Sequence, residues 1–162
     1  MNIFSKTIVI YLSFFSLSTF AAEKTVNLSV YIAKKTDSSE ISIEVDNKYH
    51  LAFYNKDKDY PTFDDVNMTF TVTAPLSSPD MYSIVLNDMS NNCNGVQIDN
   101  VVSELDGNDF PEGDIQNFTF DVASPVERSK HHQFTLSFPH IPQTDKVLNC
   151  TGHVAVKVEA TI

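Results

Sequence analysis

The chain has no tryptophan, only four glycines and a single arginine, Arg128. Scarce glycine argues against the Gly-rich loops that cradle nucleotide phosphates, which need backbone to approach the ligand closely. A lone arginine argues against a nucleic-acid groove, because phosphate recognition relies on clustered Arg and Lys. No apolar stripe of helical period occurs beyond the first 21 residues, so a helical fold is not expected. What is present is acid and β-forming pattern. Acidic residues number 21 against 11 basic, a formal charge of −10, and 42% of the 162 residues are hydrophobic. That apolar share is enough to bury one core and speaks against disorder.

Residues 1–21 have the layout of a secretory signal. Lys6 precedes an apolar run from Ile8 to Phe20, and Thr19 and Ala21 place small residues at −3 and −1 of a cut after Ala21. A cut after Ala22 would put bulky Phe20 at −3 and is disfavoured. The run is short for a membrane span, which needs roughly 20 residues. The mature chain is expected to start at Ala22. Losing Lys6 leaves 10 basic groups against 21 acidic, a net of −11.

Export gives meaning to the two cysteines, Cys93 in a turn-like Asn91–Gly95 cluster and Cys150 before the last strand. An even pair in an exported chain is expected to form a disulfide, and the spacing is not that of a CxxC redox or metal pair.

The remaining pattern is strand after strand. Val26, Leu28, Val30 and Ile32 alternate with Thr25, Asn27, Ser29 and Tyr31. Ile41–Val45, Tyr49–Tyr54, Asn67–Ala74, Met81–Leu86 and Val96–Ile98 follow, then Phe118–Val122, Phe134–Phe138 and Val154–Ile162. Turns are expected at Asp46-Asn47 and Asn94-Gly95, and acidic loops at Asn55–Asp65 and Ser103–Asp114. Eight or nine short strands separated by turn clusters predict an all-β chain, an immunoglobulin-like antiparallel β-sandwich.

Chemistry is sparse. Asp106, Asn108 and Glu112 invite a calcium reading, but Phe110 and Pro111 occupy positions where an EF-hand loop needs an oxygen ligand and a glycine. A solvated loop is expected instead. His131 and His132 are adjacent, so on a strand they would face opposite ways and could not share a metal ion; a surface loop is expected for them. No serine sits in a GxSxG elbow. Four N-x-S/T triplets, at Asn27, Asn67, Asn117 and Asn149, have meaning only in a eukaryotic secretory route. No catalytic residue, metal or cofactor is expected.

The first strand has two readings. It is either strand A of a self-contained module with an unknown ligand, or a donor strand that completes the sheet of another subunit by strand addition. Pattern alone leaves both open.

The mature start, Glu23-Lys24-Thr25-Val26-Asn27-Leu28-Ser29-Val30, and the end, Gly152 to Ile162, resemble a bacterial chaperone–usher pilin. With Ala33–Ser39 (AKKTDSS), His50–Tyr54 and the Gly-led last strand, the layout is similar to the major pilin of the common-pilus (Mat-type) family. The resemblance implies a sandwich at 35–162 that lacks one strand and a donor segment at 22–34. The donor contacts would be Val26, Leu28, Val30 and Ile32. The acceptor groove would be edged by Val154, Val156 and Val158. It also implies neighbouring subunits, a periplasmic chaperone and an outer-membrane usher as partners, a fimbrium on the cell surface, and adhesion to a host receptor by the assembled fibre.

Overall fold

The computed structural model describes residues 25–32, 41–55, 57, 59–122, 124–142 and 148–161. The signal segment and both candidate cleavage sites lie outside them.

Two sheets stack around one core. The larger holds β1 (Thr25–Ile32), β3 (Tyr49–Asn55), β4 (Thr62–Phe63), β6 (Met81–Cys93), β10 (Ile115–Thr119) and β13 (Cys150–Thr161). Their order is β10-β6-β13-β1-β3-β4, with β7 (Val96–Gln97) added to β6. The smaller sheet runs β2-β5-β12-β8-β9, from β2 (Ser42–Val45), β5 (Val66–Pro75), β12 (Glu127–Ser137), β8 (Val102–Leu105) and β9 (Asn108–Asp109). Within it β11 (Asp121–Val122) also pairs with β12. The fold is the expected all-β sandwich.

Period-two patterning builds the core directly. Val66, Met68, Phe70, Val72 and Ala74 of β5 are all buried, facing Tyr82, Ile84 and Leu86 of β6 and Val154, Val156 and Val158 of β13. Alternate residues on a strand point to opposite faces, so each element needs only a local pattern to commit one side to the interior.

Some boundaries shift where that pattern breaks. Strand β6 runs seven residues beyond the expected Leu86, to Cys93. On β13, Ala155 and Val156 are adjacent, yet their partners on β6 are Asp88 and Leu86. Asn87 is therefore the extra residue of a β-bulge, which reverses which parity faces inward. Tyr82, Ile84 and Leu86 are buried before it, and Asn91 is buried after it. The phase change, together with polar Asn-Asp-Met-Ser-Asn-Asn, hides the second half from a search for one uninterrupted alternation. The Phe118–Val122 segment divides likewise, because Phe120 is buried where the chain leaves β10 in one sheet for β11 in the other.

Turn chemistry follows residue type. Asn94-Gly95 joins β6 to β7 with both φ angles positive, 52° and 80°, the conformation of a two-residue primed turn. The acidic Ser103–Asp114 stretch is a second such hairpin rather than a simple solvated loop. Asp106 and Gly107 turn at φ 52° and 78° between β8 and β9, and Ser103, Leu105 and Phe110 are buried. Asp46-Asn47 serves a different purpose, carrying the chain from β2 in one sheet to β3 in the other.

The cysteines pair as expected. Cys93 and Cys150 are direct ladder partners of β6 and β13, with Cα atoms 4.0 Å apart and a sequence separation of 57. Closing a loop of that length in the unfolded chain stabilises the fold by about 4 kcal/mol in the chain-entropy model. Changing both cysteines to serine should therefore lower the free energy of unfolding by about 2–4 kcal/mol in urea titrations. Reductant should move the natural chain toward the same midpoint and leave the double variant unchanged.

Candidate functional site: a strand slot between β3 and β13

Strand β1 is set apart by its pairing. It runs parallel to β13 over seven rungs, from Val26↔Cys150 to Ile32↔Val156. Its other edge runs antiparallel to β3, from Thr25↔Phe53 to Ser29↔Tyr49. The other ladders among the described residues are antiparallel. Among the described residues the β3–β4 hairpin has no other ladder to the rest of its sheet, so there β1 joins it to β13 and β6. Take β1 away and a slot one strand wide opens between β3 and β13. The segment is paired on both sides within its own chain, whereas a donor held ready for another subunit is expected to be detached or poorly paired.

Register places the donor positions. Val26, Leu28, Val30 and Ile32 align with Cys150, Gly152, Val154 and Val156, all buried, and Val26 also aligns with buried Ala52. Thr25, Asn27 and Ser29 align instead with Phe53, Leu51 and Tyr49, all exposed. The four apolar positions thus share the rungs whose β13 partners are buried. Of the groove-edge residues, Val154 and Val156 border β1, while Val158 lies past its last rung and pairs with Ile84. Cys150 and Gly152, not counted in the sequence reading, complete the edge. At the Gly152 row β13 contributes no side chain, and the Oδ1 of neighbouring Asn91 is buried without a partner.

His132 corrects the surface-loop expectation. It lies on β12, fully buried, while His131 points to the opposite face and meets Thr71. The Asp106 carboxylate accepts from His132 Nδ1 at 2.7 Å and from the backbone N–H of Gln133 at 2.9 Å. That assigns the tautomer with its proton on Nδ1, leaving Nε2 to accept from the Tyr82 hydroxyl at 2.5 Å. Burial holds the imidazole below its ordinary pKa, and Asp106 opposes the shift without reversing it. Burial, then Asp106 and Asp121, raises the Tyr82 phenol. Asp106 is thereby engaged, so the calcium reading of the loop has lost its first ligand. Among the described residues no group of three or more His, Cys, Asp or Glu is placed to hold a metal ion.

On the outer face of the larger sheet, Asp88 and Ser90 of β6 meet His153 of β13. His153 Nε2 lies 2.6 Å from Asp88 Oδ2, and Nδ1 lies 3.2 Å from Ser90 Oγ. Sequence reasoning missed this cluster because 63 residues separate Ser90 from His153. No family model matches the chain, and neither does any curated protein.

The His132 arrangement has a pH consequence. Its folded pKa lies below the unfolded value of about 6.5, so the unfolded chain binds the proton more readily. This contribution to stability is complete above pH about 6.5 and declines as the pH falls below it. Unfolding midpoints measured between pH 7.5 and 5 should fall in the natural chain, and His132→Leu should flatten that fall by the share of one proton.

Proposed function

We propose that the mature chain is a structural subunit of an adhesive fimbria, in which segment 22–34 of one subunit fills the slot of the next. The observation that carries this reading is the slot itself. One strand from the N-terminal end links two halves of a sheet that share no other ladder among the described residues. A strand that bonds through its backbone on both edges can be supplied by its own chain or by another copy, because the ladder does not distinguish them. Four apolar side chains at those rungs would contribute on the order of 6–12 kcal/mol gross, enough to hold a fibre joint. An unfilled slot would expose two unpaired edges and part of the core, which favours self-association. The resemblance of the chain's two ends to chaperone–usher pilins supplies the partners: a periplasmic chaperone to guard the slot, an outer-membrane usher to exchange the strand, and a host receptor for the finished fibre.

A second reading has its own support. Strand β1 is paired on both edges by its own chain, as strand A of a self-complete exported binding module would be.

Two variants separate the readings. Leu28→Asp places an unpaired charge on a core-facing rung, whereas Asn27→Asp changes the opposite face. In a fibre subunit Leu28→Asp should abolish surface fibre while chaperone-bound subunit persists, and Asn27→Asp should be far milder. In a self-complete module Leu28→Asp should remove the folded subunit altogether. Expressed alone, the fibre subunit should oligomerise or degrade, and a copy of residues 23–34 linked after Ile162 should restore a soluble monomer. A natural chain that is already a stable monomer with one cooperative unfolding transition would establish the module instead.

A further inference from the structure

The outer face of the larger sheet carries chemistry that the slot does not use. Ladder registers arrange it in rows: Ser90, His153, the Ser29 position of β1, and Tyr49 form one. Asn92, Thr151, the Asn27 position and Leu51 form the next. With strands ~4.8 Å apart, β6 to β3 spans ~14 Å. At the β6–β13 end the groups are polar and tied to one another. His153 bridges Asp88 and Ser90, and Thr151 Oγ1 donates to Asn92 Oδ1 at 3.4 Å. The His153 and Asp88 side chains remain 41% and 50% exposed. At the β3 end the face is apolar, with Tyr49 69%, Leu51 52% and Phe53 55% exposed.

We propose that this face binds a neutral saccharide, stacked on Tyr49 with its hydroxyls held by Asp88, His153 and Asn92. A sugar ring offers an apolar C–H face and a rim of hydroxyls that both donate and accept. The surface offers the complement in the same order, an aromatic and aliphatic platform and then a carboxylate, an imidazole and an amide. The ~14 Å span suits two or three sugar units in line. Because Asp88, Ser90 and His153 already hold one another, little side-chain freedom is lost on binding. Other occupants fit less well. An extended peptide would add its backbone to the edge of β3 along Tyr49–Phe53, where β4 pairs only Tyr54 and Asn55, and from there it would not reach His153 and Asp88, two and three strands away. The formal charge of −10 repels anionic glycans and nucleic acid. The Ser–His–Asp contacts resemble those of a hydrolase, but ladder N–H groups lie in the plane of the sheet and do not rise over Ser90 as oxyanion donors. The rows need a strand in the slot, whichever copy supplies it, so this inference is independent of strand exchange.

The test is an array printed with neutral and sialylated oligosaccharides, probed with the mature chain carrying a copy of residues 23–34 linked after Ile162, which keeps the slot filled whichever reading of β1 holds. Neutral glycans should bind, and Tyr49→Ala and His153→Ala should each weaken binding at least about tenfold. Tyr60→Ala, off this face, should leave binding unchanged, and circular dichroism should be native for all three. Absence of binding, preference for sialylated glycans, or binding that survives both face variants would overturn the proposal. So would concentration-dependent dimerisation abolished by Tyr49→Ala, which would make the face a contact between copies.

Discussion

Hydrogen bonding along both edges of β1 makes one sheet out of two pieces. Strands β10, β6 and β13 form one piece, β3 and β4 the other, and the strand between them closes the gap. Much else follows from that placement. The disulfide ties β13 to β6 at the rung beside Val26, bracing one wall of the slot. Buried Val154 and Val156 form its core side on that wall, and Ala52 does so on the other. On the outer side, the same insertion brings the polar end of the sheet into line with Tyr49 and Leu51.

The orientation of β1 bears on how the slot is used. Parallel ladders are slightly less stable per residue than antiparallel ones, and parallel neighbours require a long connection rather than a tight turn. Here the parallel neighbours are the first and last strands of the sandwich, joined through every other element. The loop closure needed to pair them is the longest in the fold, and it must be made before the rungs reward it. A strand supplied by a second copy meets the same rungs without that intramolecular closure. The ladder therefore supports both readings, and kinetics and concentration decide between them.

The polar interior has a different logic. Tyr82, His132 and Asp106 chain donor to acceptor from the centre of the core to the turn of the β8–β9 hairpin. Each buried polar atom in that chain has a partner, which turns a desolvation cost into a connection between the two sheets. Asp106 occupies a positive-φ turn position and caps the relay at once, so one residue serves both backbone and core.

Alternation along Thr25–Ile32, Asn67–Ala74 and from Val154 onward is local, and the sequence by itself determined that these segments are strands and, for the last two, which face they bury, although β13 begins four residues earlier than expected, at Cys150. It also determined the Asn94-Gly95 turn, because residue type governs positive φ, and the cysteine pair, because only two are present. Other features needed the tertiary structure. The bulge at Asn87 reverses the phase of β6, and no local pattern announces it. His132 looked like a surface residue because its partners, Tyr82 and Asp106, are 50 and 26 residues away. Asp88, Ser90 and His153 meet only because β6 and β13 pair in one register. The period of a strand is written in neighbouring residues, whereas pairing depends on which distant strand satisfies its hydrogen bonds, and that is decided only when the sheets assemble.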